Sequence, residues 1–506
     1  MFSAGNIKSV EKLPLIDTNT PYNVQLSAFY KRSFAYFTVK ERLPIIITKV
    51  IDHLSKDRDD IAHEFGELAR EDVKQVIAYL SKLKNEIQTN KMLEPIAVQS
   101  DDTEEWNGLI KQLEDPYYFT CVWLFTECYV YRRIREAFQL TSSLSTMDPF
   151  RIVKDSSFMH SMMAMCMVAN HITKMLLDDH HTLEDFQLML RLNLWGNKCD
   201  LSLSVGKEVS QDTNPITMVE LLKNNIIVDD SETVYGNLSR MQLERDPNAN
   251  KSVKVGTSQA ALGKKKSKEK TSSKEATPEK DGKEVIIDIV CDNSGYELFM
   301  DFCFADYLIT KKLATHIRFH VKQIPWFVSD ASVRDVQWAV SSASTASFSQ
   351  DITVADDSGT MQTLNSQNLV YLGNKWQGYL KSNVWSCKDD HFWTTPHEFY
   401  KMPSIDKDLY TKLGEAEMVF FKGDLNYRKL MGEMNWPPTT PFEVALRDFF
   451  PCPLVAVRTV KADLISGLPP GVQEKLNKLD EKWMEKGDYG VIQFCNRKII
   501  LAHEVV

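Results

Sequence analysis

Two hydrophobic periodicities divide the chain. From about residue 37 to 192 apolar residues recur at intervals of three and four, the repeat of amphipathic helices, and the segments 45–54, 71–87, 121–138 and 183–195 carry it most clearly. After Glu284 the rhythm changes to short β-branched or aromatic runs alternating with helical stretches: 285–290, 316–321, 418–421, 454–457 and 491–494. Such runs predict buried strands of an α/β sheet. The expected fold is therefore α/β, with an N-terminal helical region over 1–240 packed on a C-terminal Rossmann-like three-layer α/β/α domain over 284–506.

The segment 241–283 reads as a linker or insertion. Its part 263–283 mixes Lys, Ser, Thr, Glu and Pro with Ala276 as its single aliphatic residue, too little to bury, and disorder is expected. Lys264, Lys265, Lys266 and Lys268 read as solvated charge, with a nuclear address or a nucleic-acid patch as the alternative. The polar stretch 341–367 is expected to be a mobile loop.

Composition narrows the class. With 43% hydrophobic and 25% charged residues among 506, the chain matches globular proteins, and a net charge of -9 argues against one that coats nucleic acid or anionic membrane. Nine cysteines without a C-x-x-C pair suggest neither a zinc cage nor a disulfide framework, and fit a reducing compartment. The N-terminus lacks a secretory signal, and the least polar stretches carry Glu127 in one and His160, Asn170 and His171 in the other, so no membrane span is expected. A cytoplasmic location is expected, with the nucleus as a second compartment.

The chemistry gathers at predicted strand ends. The run through Val290 continues into Cys291-Asp292-Asn293-Ser294-Gly295 before a helical stretch, so Asp292 and Asn293 fall where open α/β sheets bind ligands. A carboxylate beside a carboxamide offers hard oxygen donors, which suit Mg²⁺ or Mn²⁺ better than the donors zinc prefers. Asp330, closing Trp326-Phe327-Val328-Ser329-Asp330, is a third oxygen ligand and leaves positions for water and a substrate oxygen. The next strand breaks into Lys422-Gly423-Asp424-Leu425-Asn426-Tyr427-Arg428: Gly423 lets the backbone approach a ligand, Lys422 and Arg428 can neutralise phosphate, and Asp424 can orient water as a general base or accept a sugar hydroxyl. Arg458 and Lys461 arrive at a further strand end. Asn197, in Trp195-Gly196-Asn197, is an added candidate that reads equally as a helix stop.

Each residue alone has a plainer reading. An Asp-Asn pair after a strand is normally a turn or cap, and only its company reverses that. His180 and His181 read as surface residues because adjacent side chains point apart, and Met159, Met162, Met163, Met165 and Met167 read as core filler.

Together these segments, with Leu194 to Ser202, Phe392-Trp393-Thr394-Thr395-Pro396-His397-Glu398 and Arg458-Thr459-Val460-Lys461, resemble the metal-dependent damage-control phosphatase family. The last matches the R-T-x-K motif of its sugar phosphate phosphatase subfamily, which includes acidic-residue methyltransferase proteins. The resemblance implies a metal on Asp292, Asn293 and Asp330, with phosphorylated substrate contacted by the stretch Asp424 to Arg428 and by Lys461. It also implies hydrolysis of fructose-1-phosphate, fructose-6-phosphate and related metabolites with Mn²⁺, Co²⁺, Ni²⁺ or Mg²⁺. Asp292 is either a ligand beside a directly attacking water or itself the acceptor in an acyl phosphate. The rival is S-adenosylmethionine-dependent carboxyl methyl transfer onto protein glutamate. No two of the 20 glycines are separated by one residue, so the G-x-G turn that often seats a nucleotide is missing.

Overall fold

Short runs of β-branched and aromatic residues do become the sheet. The computed structural model describes residues 14–178, 180–196, 214–245, 284–347, 352–355 and 361–496. Seven strands, β1 (Ile226–Asp229), β2 (Ile286–Val290), β3 (His316–His320), β6 (Trp385–Lys388), β7 (Met418–Lys422), β8 (Leu454–Thr459) and β9 (Gly490–Cys495), pair in the order β1-β9-β8-β7-β2-β3-β6. A separate antiparallel hairpin joins β4 (Ile352–Ala355) to β5 (Met361–Leu364). From β8 to β6 all neighbours are parallel, as in Ile287 opposite Met418 and Ile289 opposite Phe319; β9 runs antiparallel to β8.

Alternation along each strand feeds two separate cores. Met418 and Phe420 of β7, with Val455 and Val457 of β8, face one; Val419 and Phe421, with Leu454 and Ala456, face the other. The second of these faces is covered by the helices Leu43–Lys56, Ala69–Gln88 and Trp123–Gln139. The first is covered by Met162–Leu177, Leu183–Gly196, Tyr296–Thr310 and Gln367–Lys381. The expected three layers are present, and the early helices are shared between both outer layers. Each Phe or Val buried this way contributes about 1.5–3 kcal/mol, so the pattern decides which face each helix covers.

Several expectations change. β1 comes from the region 1–240 yet pairs with β9, so the sheet crosses the expected boundary at 240. β1 and β6 are the two outermost strands, four residues each, and Trp385-Ser386-Cys387-Lys388 carries too few apolar positions to announce itself. The stretch 341–367 holds the end of a helix and the β4–β5 hairpin, where a loop was expected. His181 is buried, its ring nitrogens 2.9 Å from the Tyr235 hydroxyl and 2.8 Å from Gln242 Oε1, which correct the surface reading. Met159 is exposed, whereas Met162 and Met165 are core. The proposed insertion beyond Arg245 and the candidate Asn197 lie outside the described residues. No described helix is long and apolar enough to cross a membrane.

This strand order positions the site. From β2 the chain moves through β3 to β6 on one side, and β7 with β8 stack on the other. The crevice between the C-terminal ends of β2 and β7 is thus the topological switch point, where open α/β sheets bind ligands.

Candidate active site

Past the end of β2, the segment holding Asp292 and Asn293 is clasped to the segment holding Asp330. The Ala331 N–H donates to the Asp292 carbonyl at 2.8 Å, the Ser294 N–H to the Ser329 carbonyl at 2.7 Å, and Asn293 bridges Asp330 antiparallel. Asn293 and Asp330, distant in sequence, are thereby fixed side by side. The approach to Asp330 is strained: Phe327 and Val328 have φ of 46° and 68°, and a β-branched residue rarely adopts that region. Phe327 is held there by stacking on Tyr131, with ring centroids 4.6 Å apart.

The carboxamide of Asn293 is oriented from three sides. Its Nδ2 donates to Asp292 Oδ2 at 3.0 Å and Glu297 Oε2 at 2.7 Å, and its Oδ1 accepts from Ser329 Oγ at 2.5 Å. Lys322 Nζ lies 3.2 Å from Asp330 Oδ2. Gly423, with φ of 81°, lies against the Asp292 carboxylate in a space that a Cβ would fill.

Asp292, Asn293 and Asp330 line one narrow cleft with a cavity volume of about 40 Å³. The residues fit a hard cation: two nearly buried carboxylates and a carboxamide oxygen, which has a second lone pair beyond its Ser329 bond. Among the described residues no three His, Cys, Asp or Glu side chains are grouped to hold a metal. The oxygen donors this cleft could offer a cation are two carboxylates and an amide.

Of the residues expected to meet substrate, Asp424, Leu425, Arg428 and Lys461 line the cleft. Asp424 Oδ1 accepts from Arg458 Nε at 2.7 Å and from the Lys461 N–H at 3.2 Å. Arg428 donates to Glu127 at 2.6 Å and, as a two-pronged fork, to Glu433 at 3.0 and 2.6 Å, with its guanidinium over Trp123.

Four other expected residues do not line this cleft and are bonded to neighbours within the protein. Arg458 spends its other nitrogens on the carbonyls of Leu464 and Ala462 and lies over the Tyr427 ring. The Tyr427 hydroxyl donates to Gln493 at 2.9 Å. Asn426 Nδ2 donates to the carbonyls of Lys422, Val290 and Cys291, stitching the end of β7 to the end of β2. Lys422 does not face the cleft: two-residue alternation sends it, like Met418 and Phe420, to the opposite face. There its ammonium meets Asp301 at 2.8 Å, Glu297 at 3.1 Å and the Asn193 carbonyl at 3.4 Å. Burial pulls its pKa down, but the two carboxylates outweigh that and raise it overall.

Sequence reasoning missed the helical wall of the cleft: Phe34, Arg42, Trp123 and Glu127. Glu127 carried a signal, a carboxylate in one of the two least polar stretches of the sequence.

The whole chain has counterparts among known proteins. The damage-control phosphatase ARMT1-like domain matches residues 38–476. Damage-control phosphatase ARMT1 of Danio rerio is 36% identical over 93% of this chain and 96% of its own length. The Rattus norvegicus protein of that name is 37% identical over 93% and 98%, and the Homo sapiens protein 35% over 91% and 96%. A solved DUF89 family protein from Pyrococcus horikoshii overlaps with a TM-score of 0.38 at 14% identity, covering 86% of this chain and 94% of its own. With matches at this identity running nearly from end to end, the chain belongs to the ARMT1-like damage-control phosphatase family.

Proposed function

We propose that this protein hydrolyses small phosphorylated sugars, fructose-1-phosphate and fructose-6-phosphate among them, with a divalent cation on Asp292, Asn293 and Asp330. One observation carries the reading: those three oxygen side chains share a single cleft with Asp424 and Lys461 at the switch point of the sheet. Mn²⁺, Co²⁺, Ni²⁺ and Mg²⁺ all accept such donors, and when bound the cation supplies Lewis-acid polarisation of a phosphoryl oxygen.

The protein's own groups divide the remaining work. Lys461 neutralises charge on the transferring phosphoryl group. Arg428, committed to Glu127 and Glu433, adds its fixed positive charge to the wall. Asp424 has both its protein bonds on Oδ1, so Oδ2 faces the proton of a water or sugar hydroxyl. Asn293 steadies Asp292 through the bond to its Oδ2. Water ends with the phosphoryl group and the sugar leaves as the alcohol.

Family membership does not favour methyl transfer from S-adenosylmethionine, and that alternative is kept only as a control. The test is phosphate release from fructose-1-phosphate with each cation and with EDTA, run beside transfer of a labelled methyl group. Chelator-sensitive phosphate release is expected. Methyl transfer without phosphate release would refute the reading.

A further inference from the structure

The helical wall of the cleft supplies a hydrogen-bond acceptor besides those at the strand ends. Glu127, 4% exposed, stands one turn beyond Trp123 on the helix Trp123–Gln139, and both side chains line the cleft with Asp292 and Asp424. Arg428 fixes the carboxylate in place by donating from Nη1 to Glu127 Oε2 at 2.6 Å. Arg428 is itself held by the two-pronged bond to Glu433 and by the Trp123 ring, whose centroid lies 3.6 Å from the guanidinium. Among the described residues no group donates to Glu127 Oε1, and that oxygen is not sealed in the core.

The chemistry of that oxygen sets what it can bind. An ionised carboxylate accepts hydrogen bonds and donates none, so Oε1 calls for a donor on the ligand. The phosphoryl end of a phosphate monoester carries roughly 1.5–2 negative charges near neutral pH and is repelled by a carboxylate. Among the described residues no three His, Cys, Asp or Glu side chains are grouped to hold a metal, so Glu127 does not join Asp292 and Asp330 around one ion. The hydroxyls on the organic part of the ester are the donors that remain. A carboxylate bonds a hydroxyl more strongly than a neutral acceptor does, and a site built around such a bond rejects analogues that lack the hydroxyl.

We propose that Glu127 is a specificity-determining residue whose Oε1 accepts a hydrogen bond from a substrate hydroxyl, so that the cleft selects hydroxylated phosphate esters over bare ones. The inference rests on the phosphatase reading above and goes beyond it by naming the group that reads the organic half of the substrate.

The test uses the full chain with Mn²⁺ and compares kcat/KM for fructose-1-phosphate with kcat/KM for p-nitrophenyl phosphate, an ester without hydroxyls. In Glu127→Gln the amide oxygen has to face Arg428, which can only donate, so an NH₂ replaces the acceptor at the cleft. The ratio of the two kcat/KM values should fall by ~10-fold or more, the usual worth of a charge-assisted hydrogen bond. A residue that merely positions Arg428 would shift both esters equally. An unchanged ratio in folded Glu127→Gln therefore overturns the proposal and leaves the oxygen to water. Should that variant not fold, an unchanged ratio in Glu127→Asp, whose carboxylate sits one methylene farther back, overturns it. If the wild type releases phosphate from neither ester, the phosphatase reading falls. The role of Glu127 is then decided by the Tm rise that fructose-1-phosphate gives beyond inorganic phosphate: its loss in Glu127→Gln supports the proposal, and its absence from the wild type or persistence in the variant overturns it.

Discussion

Gly423 and the Asp292 carboxylate are in contact so close that a Cβ at 423 would fall 1.8 Å from Asp292 Oδ2 and 2.2 Å from its Cγ. Gly423→Ala therefore has to displace Asp292, and a shift of about 1 Å at a reacting group can cost ~100-fold in rate. The left-handed backbone adds about 1–2 kcal/mol of strain. Steady-state kinetics should show kcat reduced by that order with the fold retained by circular dichroism. A variant with wild-type kcat would mean that Asp292 takes no part.

Asp292→Asn and Asp330→Asn should each abolish the rise in Tm that Mn²⁺ produces in the wild type, and lose chelator-sensitive turnover. EDTA should reduce the wild type to the same level. The comparison is made by thermal unfolding with and without cation, so it reads binding independently of activity.

Lys422→Met should destabilise the fold. It leaves Glu297 and Asp301 buried without their ammonium, and breaking such a pair typically costs about 3–5 kcal/mol. Burial already lifts the Asp301 carboxyl to about 6 against the pull of Lys422. Urea unfolding should show a lower midpoint. If Lys422 instead met the phosphate, stability would hold and KM would rise.

The His391 and His397 rings both reach Glu105, at 2.9 and 2.8 Å, tying the segment after β6 to the helix Thr103–Gln112. Burial works to raise the Glu105 carboxyl, but the two histidines prevail and hold it at about 2; the hydrogen bond to Glu105 raises His391. The raised His391 contributes stability that is complete below its ordinary 6.5 and is lost as pH climbs through its folded value. The depressed Glu105 contributes above its ordinary 4.5 and loses that contribution as pH falls toward about 2. His391→Gln should thus lower Tm more at pH 6 than at pH 9. An equal loss at both would show that the ring only packs.

The five longer strands were legible because their apolar runs are central and buried on both faces, and the ligand-bearing turn after Val290 was legible because oxygen donors interrupt such a run. β1 and β6 were not, because edge strands need little apolar sequence. Within the site, the residue types singled out Asp292, Asn293, Asp330, Asp424 and Lys461, and the fold brings all five to one cleft. Residue type could not tell Arg428, which lines the cleft, from Lys422 and Arg458, which do not. That difference lies in strand phase and in carboxylates such as Glu433 and Asp301, whose proximity only folding creates. Arg42 was missed because a single arginine in a helix leaves no periodic trace.

The cleft joins Phe34, Arg42 and Trp123 to Asp424 and Lys461, so its two walls are made from opposite halves of the polypeptide. A growing or truncated chain has one wall at most. Phosphate release should therefore begin only with completed folding, and two separately inactive fragments should regain it on mixing as far as they dock.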